Sequence, residues 1–232
     1  MFILIRICIY DRLYKVWNGG IAMDEKEIKM NSRETFDRQA NSYDHDIKGR
    51  HARRMYQVVL NTLNNISYSN FLDLGCGTGE LIKIILENDN TKKGFGIDLS
   101  SKMIEVAKKK LPESVSLMIG DSENLPYPNQ YFDVIYCNDS FHHYPSPENV
   151  IKEVFRVLKQ GGTFIICDCW QPYLGRVIMN TYMKYSKEGD VRIYSQKELE
   201  NLLHIEFETV IWKKLSNTSC LCIAKKSRRR NE

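Results

Sequence analysis

The run Asp73-Leu74-Gly75-Cys76-Gly77-Thr78-Gly79 constrains this chain more than any other stretch. It follows Asn70-Phe71-Leu72, a short apolar start that reads as a strand, and it precedes Glu80 to Glu87, where Leu81, Ile84 and Ile85 recur at helical spacing. The local order is therefore strand, glycine turn, helix. Glycines at alternate positions allow a tight turn and leave main chain bare for a ligand, and the helix start adds N–H groups without partners. A dinucleotide fingerprint needs glycine where Glu80 stands. A carboxylate at a helix N-terminus also suits a pyrophosphate poorly, so the ligand near this loop is expected to be uncharged or cationic.

The same unit repeats downstream. Lys93 to Asp98 reads as a strand, Ser100 to Lys110 as a helix, and Val115 to Gly120 as a further strand. Phe132 to Cys137 is the next strand, followed by a helix from Pro147 to Leu158 with Gly161-Gly162 beyond its end, then a strand from Thr163 to Cys169. Alternating strands and helices imply right-handed crossovers and an α/β fold, with a mainly parallel sheet covered by helices on both faces. Gln171 to Lys187 reads as helical, Ser195 and Glu198 open a short helix as a capping box, and Phe207 to Lys213 with Ser219 to Lys225 form an antiparallel hairpin.

With 232 residues and no low-complexity linker, the chain suits one domain with embellishments. Residues 23–66 read as an N-terminal helical cap, with Met55, Val58, Val59, Leu60 and Leu63 striping a helix from about Ile47. Residues 67–232 carry the main domain, with a cap insertion near 170–195. MFILIRICIY is too short to span a bilayer, is interrupted by Arg6, and lacks the layout of a secretory signal. Residues 1–22 are therefore expected to be an upstream extension, with Met23 as the start.

A net charge of +4 with interspersed signs implies no nucleic-acid partner. The basic run Lys225, Lys226, Arg228, Arg229 and Arg230 reads as a solvated tail. An odd count of seven cysteines points to a reduced, cytoplasmic setting. Cys167 with Cys169, and Cys220 with Cys222, read as small buried hydrophobes on strands, and no metal is expected.

Asp98 ends the second strand about 20 residues beyond the glycine turn, where a carboxylate can accept hydrogen bonds from ribose hydroxyls. Asp121 and Ser122 follow the third strand and can present a carboxylate and main chain to an adenine edge, with Leu99 and Met103 as an apolar wall. Either aspartate alone can also be a helix cap. Three acidic strand ends in register with a glycine loop are harder to explain that way.

These residues resemble a known family, the class I S-adenosylmethionine-dependent methyltransferases, and within it the small-molecule group that includes the ubiquinone and menaquinone biosynthesis methyltransferases. The matching motifs are FLDLGCGTGEL at 71–81, GFGIDLS at 94–100, GDSENLPYPNQYFDVIYCNDSFHHY at 120–144 and EVFRVLKQGGTFIICD at 153–168, with FDRQANSYD at 36–44 as an entry motif. The resemblance implies a Rossmann-like sheet of seven strands, one antiparallel, and S-adenosyl-L-methionine as cofactor. It puts Gly75, Gly77 and Gly79 against the methionine and ribose portion, Asp98 on the ribose hydroxyls, Asp121 on the adenine amino group and Ser122 beside the ring. It further implies that Asp73 orients the loop or meets the ammonium, that Asn138 flanks the sulfonium, and that Tyr43 closes over the cofactor.

Methyl transfer needs a nucleophile held in line and water excluded. For a phenol, enol or carbon acid a base is useful, and His142 or His143 can supply it; alternatively one packs under the loop and the other is solvated. Trp170, Tyr173, Met179, Tyr182, Met183, Tyr185 and Tyr194 are expected either to cap the cleft with residues 24–66 or to be core. Asn138-Asp139-Ser140-Phe141 departs from the N/D-P-P-Y/F pattern of amino-methylating enzymes acting on bases, and Cys137 follows Tyr136 rather than proline. Gln160 and Asp168-Cys169-Trp170 depart from the quinone enzymes. The expected partner is a small-molecule methyl acceptor. Two alternatives stay open: a methyltransferase-like protein that binds without turnover, and a nicotinamide-dependent oxidoreductase, which Glu80 disfavours.

Overall fold

The computed structural model describes residues 24–183, 186 and 188–227. The expected extension at 1–22, the start at Met23, the cap residue Tyr185 and the tail arginines Arg228 to Arg230 lie outside the described residues.

The apolar runs pair into one seven-stranded sheet: β1 (Asn70–Leu74), β2 (Lys93–Asp98), β3 (Ser116–Ile119), β4 (Phe132–Asn138), β5 (Leu158–Cys169), β6 (Thr209–Lys214) and β7 (Ser219–Lys225). Their order is β3-β2-β1-β4-β5-β7-β6, with β7 antiparallel to both neighbours and the remaining pairs parallel. The chain moves outward from β1 to β3 and then returns to lay β4 on the other side of β1. Ligands bind at such a reversal, outside the carboxyl ends of the strands.

Seven helices among the described residues flank the sheet: α1 (Glu25–Gln39), α2 (Arg50–Leu63), α3 (Glu80–Asn88), α4 (Ser101–Lys110), α5 (Pro147–Val157), α6 (Tyr173–Met183) and α7 (Gln196–Leu203). Successive strand residues point to opposite faces, so Phe71, Val134, Tyr136 and Ile165 pack with Val59, Ile82 and Ile104 of α2, α3 and α4. Leu72, Leu74, Ile135, Phe164 and Ile166 pack with Val150, Val154 and Leu203 of α5 and α7. Strands buried on both faces explain why their sequences read as continuous apolar runs rather than alternating ones.

Two element starts lie three or more residues from expectation. The helix placed from about Ile47 begins at Arg50. The strand placed from Thr163 begins at Leu158, where α5 ends, so Gly161 and Gly162 lie within β5. Gly161 takes a φ of +77°, which glycine alone adopts without cost, and its N–H is paired to the Lys226 carbonyl at 2.9 Å. The six described cysteines are free thiols.

Candidate active site

The turn after β1 is built by left-handed glycines, with φ of +77° at Gly75, +51° at Gly77 and +73° at Gly79. The Gly77 N–H donates to Asp98 Oδ2 at 2.8 Å, and the Ser100 N–H donates to Asp98 Oδ1 at 2.8 Å. Asp98 thus ties the glycine loop to the start of α4 while each of its oxygens keeps a lone pair. Burial raises its pKa from 3.8 to about 6, against the two backbone N–H bonds. A methyl group on Gly77 would meet only Met103 Sδ, at 3.9 Å, so the space over this residue is open cleft.

Gly79 is placed differently from Gly75 and Gly77. It does not line the cleft. A Cβ there would sit 2.6 Å from Leu111 Cδ1 and 3.2 Å from Ala107 Cβ, so its bareness serves the approach of α3 to α4.

The remaining expected cofactor residues gather on one cleft of about 920 Å³ including its open mouth: Tyr43, Asp73, Gly75, Gly77, Asp98, Leu99, Met103, Asp121, Ser122 and Asn138. Asp73 is buried, and desolvation holds its carboxyl well above the carboxylate range. The Tyr136 hydroxyl faces it and partly offsets this, without a well-formed hydrogen bond. Asn138 donates through Nδ2 to the Ala52 carbonyl at 3.2 Å, while its Oδ1 is buried with no partner. Ser122 Oγ reaches the Tyr144 hydroxyl at 3.3 Å, and Ser140 Oγ donates to the Leu74 carbonyl at 2.9 Å, pinning the loop after β4 to the glycine turn. Asp139, beside Asn138, takes a φ of +58° and is met by His51 Nδ1 at 2.7 Å.

The cap contributes more than periodicity revealed. Lys29, Ser32, Arg33 and Phe36 of α1 line the cleft, as do Ala52 and Tyr56 of α2. Lys29 Nζ bonds Asp121 at 2.8 Å and Glu123 at 2.6 Å, and Asp37 accepts from Ser100 Oγ at 2.6 Å. Lys110 bridges Asp44 at 2.5 Å and Glu80 at 2.7 Å, while Thr78 Oγ1 donates to Asp44 at 2.5 Å. Glu80 therefore stands behind the loop on a lysine and does not line the cleft. Long-range pairs of this kind leave no local pattern in a sequence.

The two histidines part company. His143 lines the cleft, with the Phe36 ring edge-on at 5.1 Å. Burial and then the charge of His142 hold it below the ordinary imidazole range. His142 does not line the cleft. Its Nδ1 meets Asp168 Oδ1 at 2.6 Å and its backbone N–H donates to Asp168 Oδ2 at 3.0 Å. Burial opposes its charge, yet the Cys169 sulfur and the Asp168 carboxylate outweigh burial and raise its pKa.

None of the described aromatic and methionine residues expected from 170 to 195 lines the cleft. Trp170 packs on Trp212 and Tyr194 on Phe141, Met183 is buried, and Tyr173, Met179 and Tyr182 face solvent. The reason is direction: α6 follows β5, two strands from the glycine turn, and the cap helices already occupy the near side.

A glycine turn at the sheet reversal, with carboxylates from the next two strand ends on the same cleft, defines a nucleoside-binding α/β enzyme. Residues 72–166 match the family described as methyltransferase domain. The demethylmenaquinone methyltransferase of Thermotoga maritima is 30% identical over 170 residues, covering 69% of this chain and 71% of that protein. The enzyme of that name from Lactobacillus johnsonii is 36% identical over 107 residues, 44% of each chain. Among solved structures, a SAM-dependent methyltransferase from Thermotoga maritima superposes with a TM-score of 0.65 at 21% identity, covering 84% of this chain and all of that one, a likeness of fold. The chain belongs to the S-adenosylmethionine-dependent methyltransferase family.

Proposed function

We propose that this enzyme binds S-adenosyl-L-methionine across the glycine turn and transfers its methyl group to a small-molecule acceptor that gives up an O–H or C–H proton. The observation that carries the reading is the convergence of Asp98, Asp121 and the open main chain of Gly77 on one cleft. The residues suit the cofactor. The free lone pairs of Asp98 would accept the ribose hydroxyls, and Asp121 with Ser122 would meet the adenine edge. The unpartnered Asn138 Oδ1 is an acceptor suited to the cationic methionine end, and Asp73 lines the same cleft. When bound, this cofactor supplies an electrophilic methyl carbon on a sulfonium, so the protein needs no covalent nucleophile of its own.

The chain's own contribution is placement and proton handling. Tyr43, Phe36 and Tyr56 close the cap side and exclude water, and His143, neutral at neutral pH by the direction of its shift, takes the acceptor's proton. His142 is held as a charged partner of Asp168 and is not assigned this task. The relatives named for demethylated menaquinone make a hydroxylated ring one acceptor class worth assay. No helix among the described residues is long and apolar enough to cross a membrane. The free thiols of the six described cysteines support a cytoplasmic setting.

The test is transfer of label from methyl-labelled S-adenosylmethionine to a panel of phenols, quinols and enolisable acids. Release of S-adenosylhomocysteine with label in one product class supports the proposal. Tight cofactor binding with no transfer to any acceptor would favour the binding protein without turnover.

A further inference from the structure

His143 is held by a segment that the cofactor reading does not use. Its Nδ1 lies 3.2 Å from the Gly189 carbonyl oxygen and 3.3 Å from Asp190 Oδ1. A carbonyl oxygen only accepts, and a carboxylate at neutral pH only accepts, so Nδ1 carries the hydrogen. The neutral ring then has its one lone pair on Nε2, on a side chain that lines the cleft. In an isolated imidazole side chain the hydrogen prefers the other nitrogen, so this arrangement has to be imposed by the fold.

We propose that Gly189 and Asp190 are the positioning residues of a proton-accepting dyad, fixing His143 as its Nδ1–H tautomer so that Nε2 faces the methyl acceptor. The inference rests on the reading that a proton is taken in the cleft. Nε2 receives the acceptor's proton while the electron pair left on the acceptor forms the new bond to the methyl carbon; the bond from that carbon to the cofactor's sulfur would break in the same step, its pair staying on sulfur, so that S-adenosylhomocysteine is the leaving group. The imidazolium that results is stabilised by Asp190 and returns its proton to solvent. Three charged or titratable groups face His143 besides that carbonyl: Asp190, Asp168 at longer range, and His142, whose ring lies 4.1 Å away and whose Nε2 is 3.6 Å from Asp190. Asp190 favours the protonated ring and His142 opposes it, so the two set His143 between them.

The same three side chains, His142, His143 and Asp190, lie close enough to hold a metal ion. His143 Nδ1, the ring atom 3.3 Å from Asp190, is turned to a carbonyl oxygen and would have no lone pair for a metal while it carries the hydrogen. The geometry therefore favours the dyad.

The test uses the full chain labelled with nitrogen-15 at histidine and two-bond proton–nitrogen correlation spectra across pH, which require no turnover. The five histidines are assigned by single exchanges to Gln. The dyad predicts the Nδ1–H pattern for His143 at pH 8. In Asp190→Asn it predicts the same tautomer, held by Gly189, with the His143 midpoint about one pH unit lower. Asp190→Glu should bring the midpoint back. An Nε2–H pattern, a midpoint unmoved in Asp190→Asn, or stoichiometric loss of the Nδ1–H signal on adding Zn²⁺ would each overturn the dyad. Such a result leaves cofactor binding and label transfer intact, whereas failure of those two sinks the functional proposal whatever the imidazole spectra show.

Discussion

At the scale of single residues, Asp98 carries the most testable chemistry. Its folded pKa of about 6 stands above the ordinary 3.8. The folded chain therefore keeps a proton between those values that the unfolded chain has lost, and folding stability falls as pH rises through that window. Urea melts of the ligand-free protein should show this slope, and Asp98→Asn should flatten it. Affinity for S-adenosylhomocysteine should strengthen as pH rises through 6 in the native enzyme. It should drop about ten- to hundredfold in Asp98→Asn, the usual loss for hydrogen bonds to a charged group.

Gly77 and Gly79, two positions apart, give a second residue-scale contrast. Gly79→Ala places a methyl against Leu111 at 2.6 Å with φ at +73°, and should cost roughly 1–3 kcal/mol of stability. Gly77→Ala meets only Met103 at 3.9 Å, so its steric cost is small beyond the left-handed strain of about 1–2 kcal/mol. Its methyl enters the cleft instead, and calorimetry should show the larger affinity loss there. Equal affinity losses in both would contradict the separation of a packing glycine from a ligand-facing one.

At the scale of elements, the strand–turn–helix units were legible because their signals are local: Ser100 caps α4 by accepting from the Met103 N–H, and Ser195 with Glu198 completes the capping box of α7. What could not be read were pairs joined across long separations. Lys29 reaches Asp121 and Glu123 from a helix whose pattern is mostly polar, and nothing near Lys29 in sequence marks it. The apolar spacing in α6 was legible as a stripe, but Leu174, Ile178 and Tyr182 are exposed, because the stripe says nothing of which partner, if any, covers it. Lys29→Met should loosen the cap: hydrogen exchange over residues 25–39 should quicken while β1, β4 and β5 keep their protection. Unchanged exchange in α1 would mean that the other contacts of the helix, among them Asp37 with Ser100 and Glu25 with Ser146, hold it without Lys29.

At the scale of the whole molecule, the sheet order puts the site where it is. The chain reverses direction at β1 and β4, which opens a crevice, and the acidic ends of β1, β2 and the segment after β3 turn into it. The cap then roofs the crevice from the amino-terminal side. The glycine spacing and the acidic strand ends were readable because each is tied to a strand terminus. The loop that holds His143 was not, since Gly189 and Asp190 lie 46 and 47 positions away in sequence with no motif around them. The account stands on the cleft being an adenosyl site, and calorimetric titration of the full chain with S-adenosylhomocysteine and, separately, with NADH tests that directly. It predicts one-to-one binding of S-adenosylhomocysteine and none of NADH; NADH binding without the adenosyl ligand would contradict it.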